Sequence, residues 1–136
     1  MKKVFFDTNI VVYYFTSTEL EKRQIAASIL LQSQGIISTQ VLNELSNVLS
    51  KKYHFSWTEI GVVIENFSDN FEVKVVNEKI IVKAIACAKR YHYSYYDSLI
   101  LASALEAECS ILYSEDFQDG QVIEGLQIIN PFLHIA

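Results

Sequence analysis

The stretch from Val4 to Phe15, VFFDTNIVVYYF, decides how this chain is read, because a carboxylate stands in the middle of residues that otherwise belong to a protein interior. Val4-Phe5-Phe6 is a short run of β-branched and aromatic residues, the composition of a strand covered on both faces. Asp7 follows at once, and Ile10 to Phe15 resumes as an apolar, helix-like segment. Burying an unpaired carboxylate costs several kcal/mol. Something elsewhere in the chain, or bound to it, must compensate Asp7.

Working outward, similar short runs occupy residues 35–37, 72–76, 111–113 and 127–129, each beside a helical pattern. Residues 19–34 repeat apolar side chains at Leu20, Ile25, Ala26, Ile29 and Leu30, and residues 39–52 do so at Val41, Leu45, Val48 and Leu49. Ser56-Trp57-Thr58-Glu59 has the spacing of a capping box and opens a helix toward Phe67. Asn77 caps the next helix, through Arg90. Residues 95–106 are apolar almost all round, so that helix is expected at the centre of the molecule. The alternation predicts an α/β fold with a central parallel sheet of about five strands flanked by helices, in one domain spanning residues 1–136.

Composition narrows the classes. With 51% hydrophobic and 20% charged residues, one proline and four glycines, the chain is neither disordered nor a disulfide scaffold. Met1-Lys2-Lys3 leads into an apolar run that Asp7 interrupts before signal-peptide length, and no membrane span is expected. Cys87 and Cys109 sit in apolar helical contexts and read as buried free thiols, which points to a reducing, cytoplasmic setting. The net charge of −5 does not advertise a nucleic-acid partner, yet it suits acidic groups gathered around a cation. The basic pairs Lys2-Lys3, Lys51-Lys52 and Lys89-Arg90 are short enough to be solvated helix ends.

In parallel α/β sheets, functional groups gather beyond the carboxyl ends of strands. Asp7 stands immediately after the first strand and Asp116 just after the fourth, in ILYSEDFQDG, so the two converge if those strands are neighbours. Glu44 shares a helical face with Val41, Leu45 and Val48, and its three- and four-residue neighbours Gln40, Val41, Asn47 and Val48 include no cation. Either it is solvated at the edge of the apolar stripe or a non-local group compensates it. Asp97 occupies the third helical position after Ser94, where a capping box and the helix dipole both favour an acid, and where the same geometry would hold a carboxylate at the mouth of a buried helix. Glu115 and Asp119 are weaker candidates in a wet loop. Converging carboxylates repel, and a hard divalent ion relieves that repulsion. Oxygen ligands select Mg²⁺, with Mn²⁺ as substitute, whereas His54, His92 and His134 are too scattered for zinc.

These residues carry a resemblance. The strand with Asp7-Thr8-Asn9, then STQVLNEL at 38–45, YDSLILASA at 96–104, LYSEDF at 112–117 and INPF at 129–132 occur in the order and separations of a PIN domain. The compact size is similar to the VapC toxins of toxin-antitoxin pairs. The resemblance covers essentially the whole chain. It implies a Mg²⁺-dependent endoribonuclease with a Rossmann-like sheet and with Asp7, Glu44, Asp97 and Asp116 as the acidic quartet, of which Asp7, Asp97 and Asp116 hold the metal. Asp119 is an additional candidate, Asn9 either orients the first carboxylate or caps a helix, and Ser114 stands where the family often has threonine.

The same resemblance implies an RNA substrate, single-stranded or looped, an antitoxin partner and a homodimer. Ile10 to Phe15 and the helix from Leu20 to Leu31 offer surface for such contacts. Tyr91, Tyr93, Tyr95 and Tyr96 serve either core packing or base stacking, and Lys51, Lys52, Lys89 and Arg90 are candidate phosphate contacts. The alternatives are a PIN-fold RNA-processing nuclease without an antitoxin, a catalytically silent binding module, and a phosphoryl-transfer domain with Asp7 as nucleophile. The last would want an aspartate where Asn9 stands.

Overall fold

A computed structural model of the chain describes residues 3–16, 18–32 and 34–133. Lys2 and His134 lie outside the described residues. The elements run β1 (Val4–Phe6), α1 (Thr8–Phe15), α2 (Leu20–Gln32), β2 (Gly35–Ser38), α3 (Thr39–Lys51), α4 (Trp57–Asn70), β3 (Glu72–Lys74), α5 (Glu78–Tyr91), α6 (Tyr95–Glu106), β4 (Ile111–Tyr113), β5 (Val122–Ile123) and β6 (Leu126–Ile129).

The strands form one six-stranded sheet in the order β3-β2-β1-β4-β6-β5, parallel throughout except for the β5–β6 pair. Helical crossovers carry the chain from β1 to β2 and then to β3, after which it returns to the other side of β1 as β4. The order therefore reverses between β1 and β4, where such sheets open a crevice at their carboxyl ends. β1 and β4 are direct neighbours, with Phe6 opposite Tyr113. This adjacency, which the sequence left conditional, puts Asp7 and Asp116 at the same end of the sheet.

The expected helices form, and their ends follow local chemistry. Ser56 and Glu59 make both halves of their capping box, and Asn77 accepts from the Ile80 amide at 3.0 Å. The third expected strand run is shortened: β3 stops at Lys74 because the Val76 amide leaves the ladder and donates to Thr39 Oγ1 at 3.0 Å. The sixth strand, β5, was not expected. It is two residues long and is returned antiparallel to β6 by Glu124 and Gly125, both in the left-handed region at φ 50° and 85°. That backbone matches a tight hairpin turn, but two residues are too few to leave a periodic signal.

The main core gathers Phe5, Phe6, Ile36, Ile37 and Leu112 from the sheet with Ile10, Leu45, Leu49 and Leu101 from the helices. Each side chain of this size contributes about 1.5–3 kcal/mol when fully buried. A smaller cluster of Ile80, Ala84, Leu99 and Ala102 seals α5 onto α6. Cys87 and Cys109 are buried and free, and burial pushes the Cys109 thiol up to about 12, so both behave as small hydrophobes. Among the described residues no helix is long and apolar enough to cross a membrane.

Gly35 opens β2 under an aromatic lid. A Cβ there would stand 2.5 Å from Phe71 Cε1 and 2.7 Å from Phe6 Cε2. Those rings cannot retreat easily, because Phe71 stacks on Phe67 at 5.1 Å and meets Phe6 edge-on at 6.2 Å. Gly35→Ala is expected to cost about 1–3 kcal/mol by overpacking. Urea denaturation at one pH checks it; an unchanged midpoint would show that the rings yield.

Candidate functional site

Asp7 ends β1 and is the N-cap of α1. Its amide donates to the Tyr113 carbonyl at 3.0 Å, extending the ladder by one rung. Its Oδ1 accepts from the Thr8 amide at 2.7 Å and its Oδ2 accepts from Ser114 Oγ at 2.7 Å. The residue is 4% exposed. Burial raises its carboxyl to about 7 despite those two hydrogen bonds, and Asp116 and Glu44 add repulsion in the same direction.

Ser114 is fully buried and joins the ends of the two strands. While donating to Asp7, its hydroxyl accepts from the Asp116 amide at 3.0 Å. Asp116 Oδ2 accepts from Asn9 Nδ2 at 2.8 Å. Asn9 is thus no helix cap, since Asp7 fills that place, and the carboxylate it orients is Asp116 rather than Asp7. Burial, then Asp97 and Glu115, hold the Asp116 carboxyl above its ordinary value.

Glu44 reaches the same place from α3. It is half-buried, and its Oε1 accepts from Thr8 Oγ1 at 3.1 Å. Its carboxyl is raised by burial first and by Asp97 and Asp116, with Thr8 and Gln40 opposing. The compensating group left open by the sequence is therefore a neutral hydroxyl, not a cation. Asp97 enters from the first turn of α6, where its amide donates to Ser94 Oγ at 3.2 Å. Only this half of the expected capping box forms, which leaves the carboxylate to face Glu44 and Asp116.

The four acids come from four elements and share one field: Asp7 with Glu44 and Asp116, Glu44 with Asp97 and Asp116, and Asp97 with Asp116. Among the described residues none of them is in an ion pair; Lys22, Lys79 and Lys83 go to Glu115, Glu106 and Glu124. Nor do any three acidic, histidine or cysteine side chains among the described residues form a ready cage for an ion. An all-oxygen donor set is the chemistry that selects a hard dication keeping several waters, as Mg²⁺ does.

Other candidates face elsewhere. Asp119 Oδ1 accepts from the Asn130 amide at 2.7 Å and so pins its loop to the end of β6. Glu115 turns away from Asp116 and accepts from Tyr13 Oη and, at 3.1 Å, from Lys22 Nζ, which also lies 4.7 Å over the Tyr13 ring. Tyr91 and Tyr93 pack on the core, and Tyr93 donates to Gln121, whereas Tyr95 and Tyr96 are 42% and 60% exposed. Lys51, Lys89 and Arg90 close the last turns of their helices, where cations are favoured. His54 and His92 are exposed. The role of Thr8 was missed in the sequence. Its place beside Asp7 was the sole signal, and its partner lies 36 positions away.

A parallel α/β domain with a carboxylate centre at its topological switch point is the class that this fold and site define. The chain belongs to the PIN domain family, whose model matches residues 4–118. Among solved structures it is similar to a toxin-antitoxin complex from Klebsiella pneumoniae, at 25% identity over 94% of this chain and 97% of the other, with a TM-score of 0.71. It is also similar to VapC20 of Mycobacterium tuberculosis, a sarcin-ricin loop cleaving toxin, at 17% identity over 85% of this chain and 89% of the other, with a TM-score of 0.70. The DNA-bound VapBC2 complex of Rickettsia felis shares the fold at 18% identity over 93% and 96% of the two chains, with a TM-score of 0.66. No curated protein matches the sequence.

Proposed function

We propose that this protein is a Mg²⁺-dependent endoribonuclease that hydrolyses RNA phosphodiester bonds as the toxin of a toxin-antitoxin pair. The observation that carries this reading is the meeting of Asp7, Glu44, Asp97 and Asp116 with mutual repulsion and no cationic partner among the described residues. Asp7, Asp97 and Asp116 would hold Mg²⁺, or Mn²⁺ in its place, directly or through water. When bound, the ion supplies Lewis acidity for the scissile phosphate and a water of lowered pKa.

The chain's own groups do the positioning. Ser114 and the Thr8 amide fix both oxygens of Asp7, and Asn9 aims Asp116. Glu44, held by Thr8 and with its carboxyl raised, is suited to orient and deprotonate the attacking water. A nucleophilic Asp7 is disfavoured, because the residue is buried and both of its oxygens already accept hydrogen bonds.

A single-stranded or looped RNA suits a crevice that must reach the backbone. Two of the similar structures are complexes, and an antitoxin is the proposed partner here, together with a second copy of the chain. Ile10, Val11 and Val12 are buried and offer no contact surface, contrary to the expectation from sequence. The surface available lies between α1, α2 and α4, a groove of about 400 Å³ lined by Tyr14, Phe15, Leu30, Leu31 and Phe67. A cytoplasmic location follows from an RNA target and suits the two free thiols.

The test incubates purified protein with mixed RNAs in Mg²⁺, Mn²⁺ or EDTA, with and without the product of any small reading frame beside the gene. The expected result is cleavage in either metal, none in EDTA, and inhibition by that product. Cleavage that no adjacent product inhibits would make the protein a processing nuclease; partner binding without cleavage would make it a silent module.

A further inference from the structure

We propose that the cleft between α3 and the first turn of α6 is a nucleobase subsite, which receives a base of single-stranded RNA next to the phosphate at the acidic centre. The inference rests on the nuclease reading and deepens it. The cleft, about 400 Å³, is lined by Gln40, Asn43, Glu44, Asn47 and Tyr96. The four α3 residues are spaced three and four apart and share one face of the helix. Glu44 belongs both to this cleft and to the carboxylate centre, and Tyr96 immediately precedes Asp97, so the cleft and the centre adjoin.

The lining chemistry selects the occupant. Amide side chains offer a donor and an acceptor each, the complement of a base edge. Asn43 and Asn47 are exposed, and among the described residues their side chains make no hydrogen bond to the rest of the protein. Asparagine is also a poor choice for an exposed helix interior, where lysine, glutamate or glutamine would favour the helix more. The Tyr96 ring, 60% exposed, presents a face on which a base can stack. No lining residue is cationic and one is an acid, so a phosphate is disfavoured inside the cleft. Four residues beyond Asn47 on the same face, Lys51 is exposed and in no ion pair among the described residues, in position for the next phosphate.

The test uses full-length protein in EDTA, so that RNA is bound without metal-dependent turnover, and labelled pentamers of the four homopolymeric RNAs read by fluorescence anisotropy. Tyr96→Ala is expected to weaken binding about tenfold, Tyr96→Trp to restore it, and Asn43→Ala and Asn47→Ala to change the rank order of the four homopolymers. Melting temperatures should stay at the wild-type value, because all three side chains are exposed. Wild-type affinity and rank order in every variant would overturn the subsite while leaving the nuclease reading intact. Failure of the wild type to bind or cleave any RNA would remove that reading and the subsite with it. A change of oligomeric state in these variants, with RNA affinity unaltered, would assign the cleft to a second copy of the chain and overturn the proposal.

Discussion

Asp7→Asn is expected to lower RNA cleavage about a thousandfold while leaving the protein folded. That scale is the one on which removing a single preorganised electrostatic contributor is felt in charge-developing reactions. The carboxylate is the most deeply buried of the four acids, and both of its oxygens are already oriented, so the proposed role in holding an ion would fall on a group fixed in position. Asparagine keeps the shape and one acceptor but carries no charge. The measurement pairs a Mg²⁺-supported cleavage rate with a melting curve. Loss of activity accompanied by a large drop in melting temperature would make Asp7 a structural residue, and unchanged activity would remove it from the centre. Ser114→Ala is a graded companion. It takes away the hydrogen bond donated to Asp7 and the acceptor of the Asp116 amide, and the expected loss is about 10–100-fold, the scale for groups that orient metal ligands if these acids hold the proposed ion.

The second large effect is on stability. Without metal, the wild-type protein should lose about 3 kcal/mol between pH 5 and pH 8 through Asp7 alone. The sign follows from the direction of the shift. In the unfolded chain this carboxyl titrates near 3.8, whereas burial raises it to about 7 in the native state. Between those values the native protein binds more protons than the unfolded one, so rising pH favours unfolding, and the penalty is complete above the folded value. Glu44 and Asp116, both raised by burial first, act in the same direction. Asp7→Asn should flatten this dependence and make the metal-free protein at least as stable as wild type at pH 8, despite an amide where Ser114 and Thr8 expect an acceptor. Mn²⁺ should raise the wild-type melting temperature more at pH 8 than at pH 5, because binding needs the ionised form. Urea denaturation in EDTA at the two pH values decides it; stability that rises with pH, or an Asp7→Asn slope equal to wild type, would contradict the argument.

The two predictions together explain why a carboxylate interrupts VFFDTNIVVYYF. On these expectations Asp7 costs the metal-free protein stability at neutral pH, and the cost lies where a bound cation would relieve it. Marginal native stability makes a cost of this size tolerable only when the rest of the core is well packed. Fully buried Phe5, Phe6, Ile10, Leu45 and Leu101 around the switch point meet that condition.

Local chemistry written in the sequence was sufficient for much of the architecture. Period and capping are short-range properties, so the helices, their starts at Ser56, Asn77 and Ser94, and five strand positions could be read without knowing the fold. The acids themselves were legible for a related reason: Glu44 in an apolar stripe and Asp7 after a buried strand are inconsistent with their neighbours. What tertiary structure decided were relations between distant segments. The adjacency of β1 and β4 set Asp7 beside Asp116, Thr8 found Glu44, Asn9 took Asp116 instead of a helix end, and Glu115 was drawn away by Tyr13 and Lys22. Periodicity records which face of a segment is buried but not what it is buried against. Strand order and side-chain partners are chosen only when the sheet closes, and the carboxylate centre comes into being at that step.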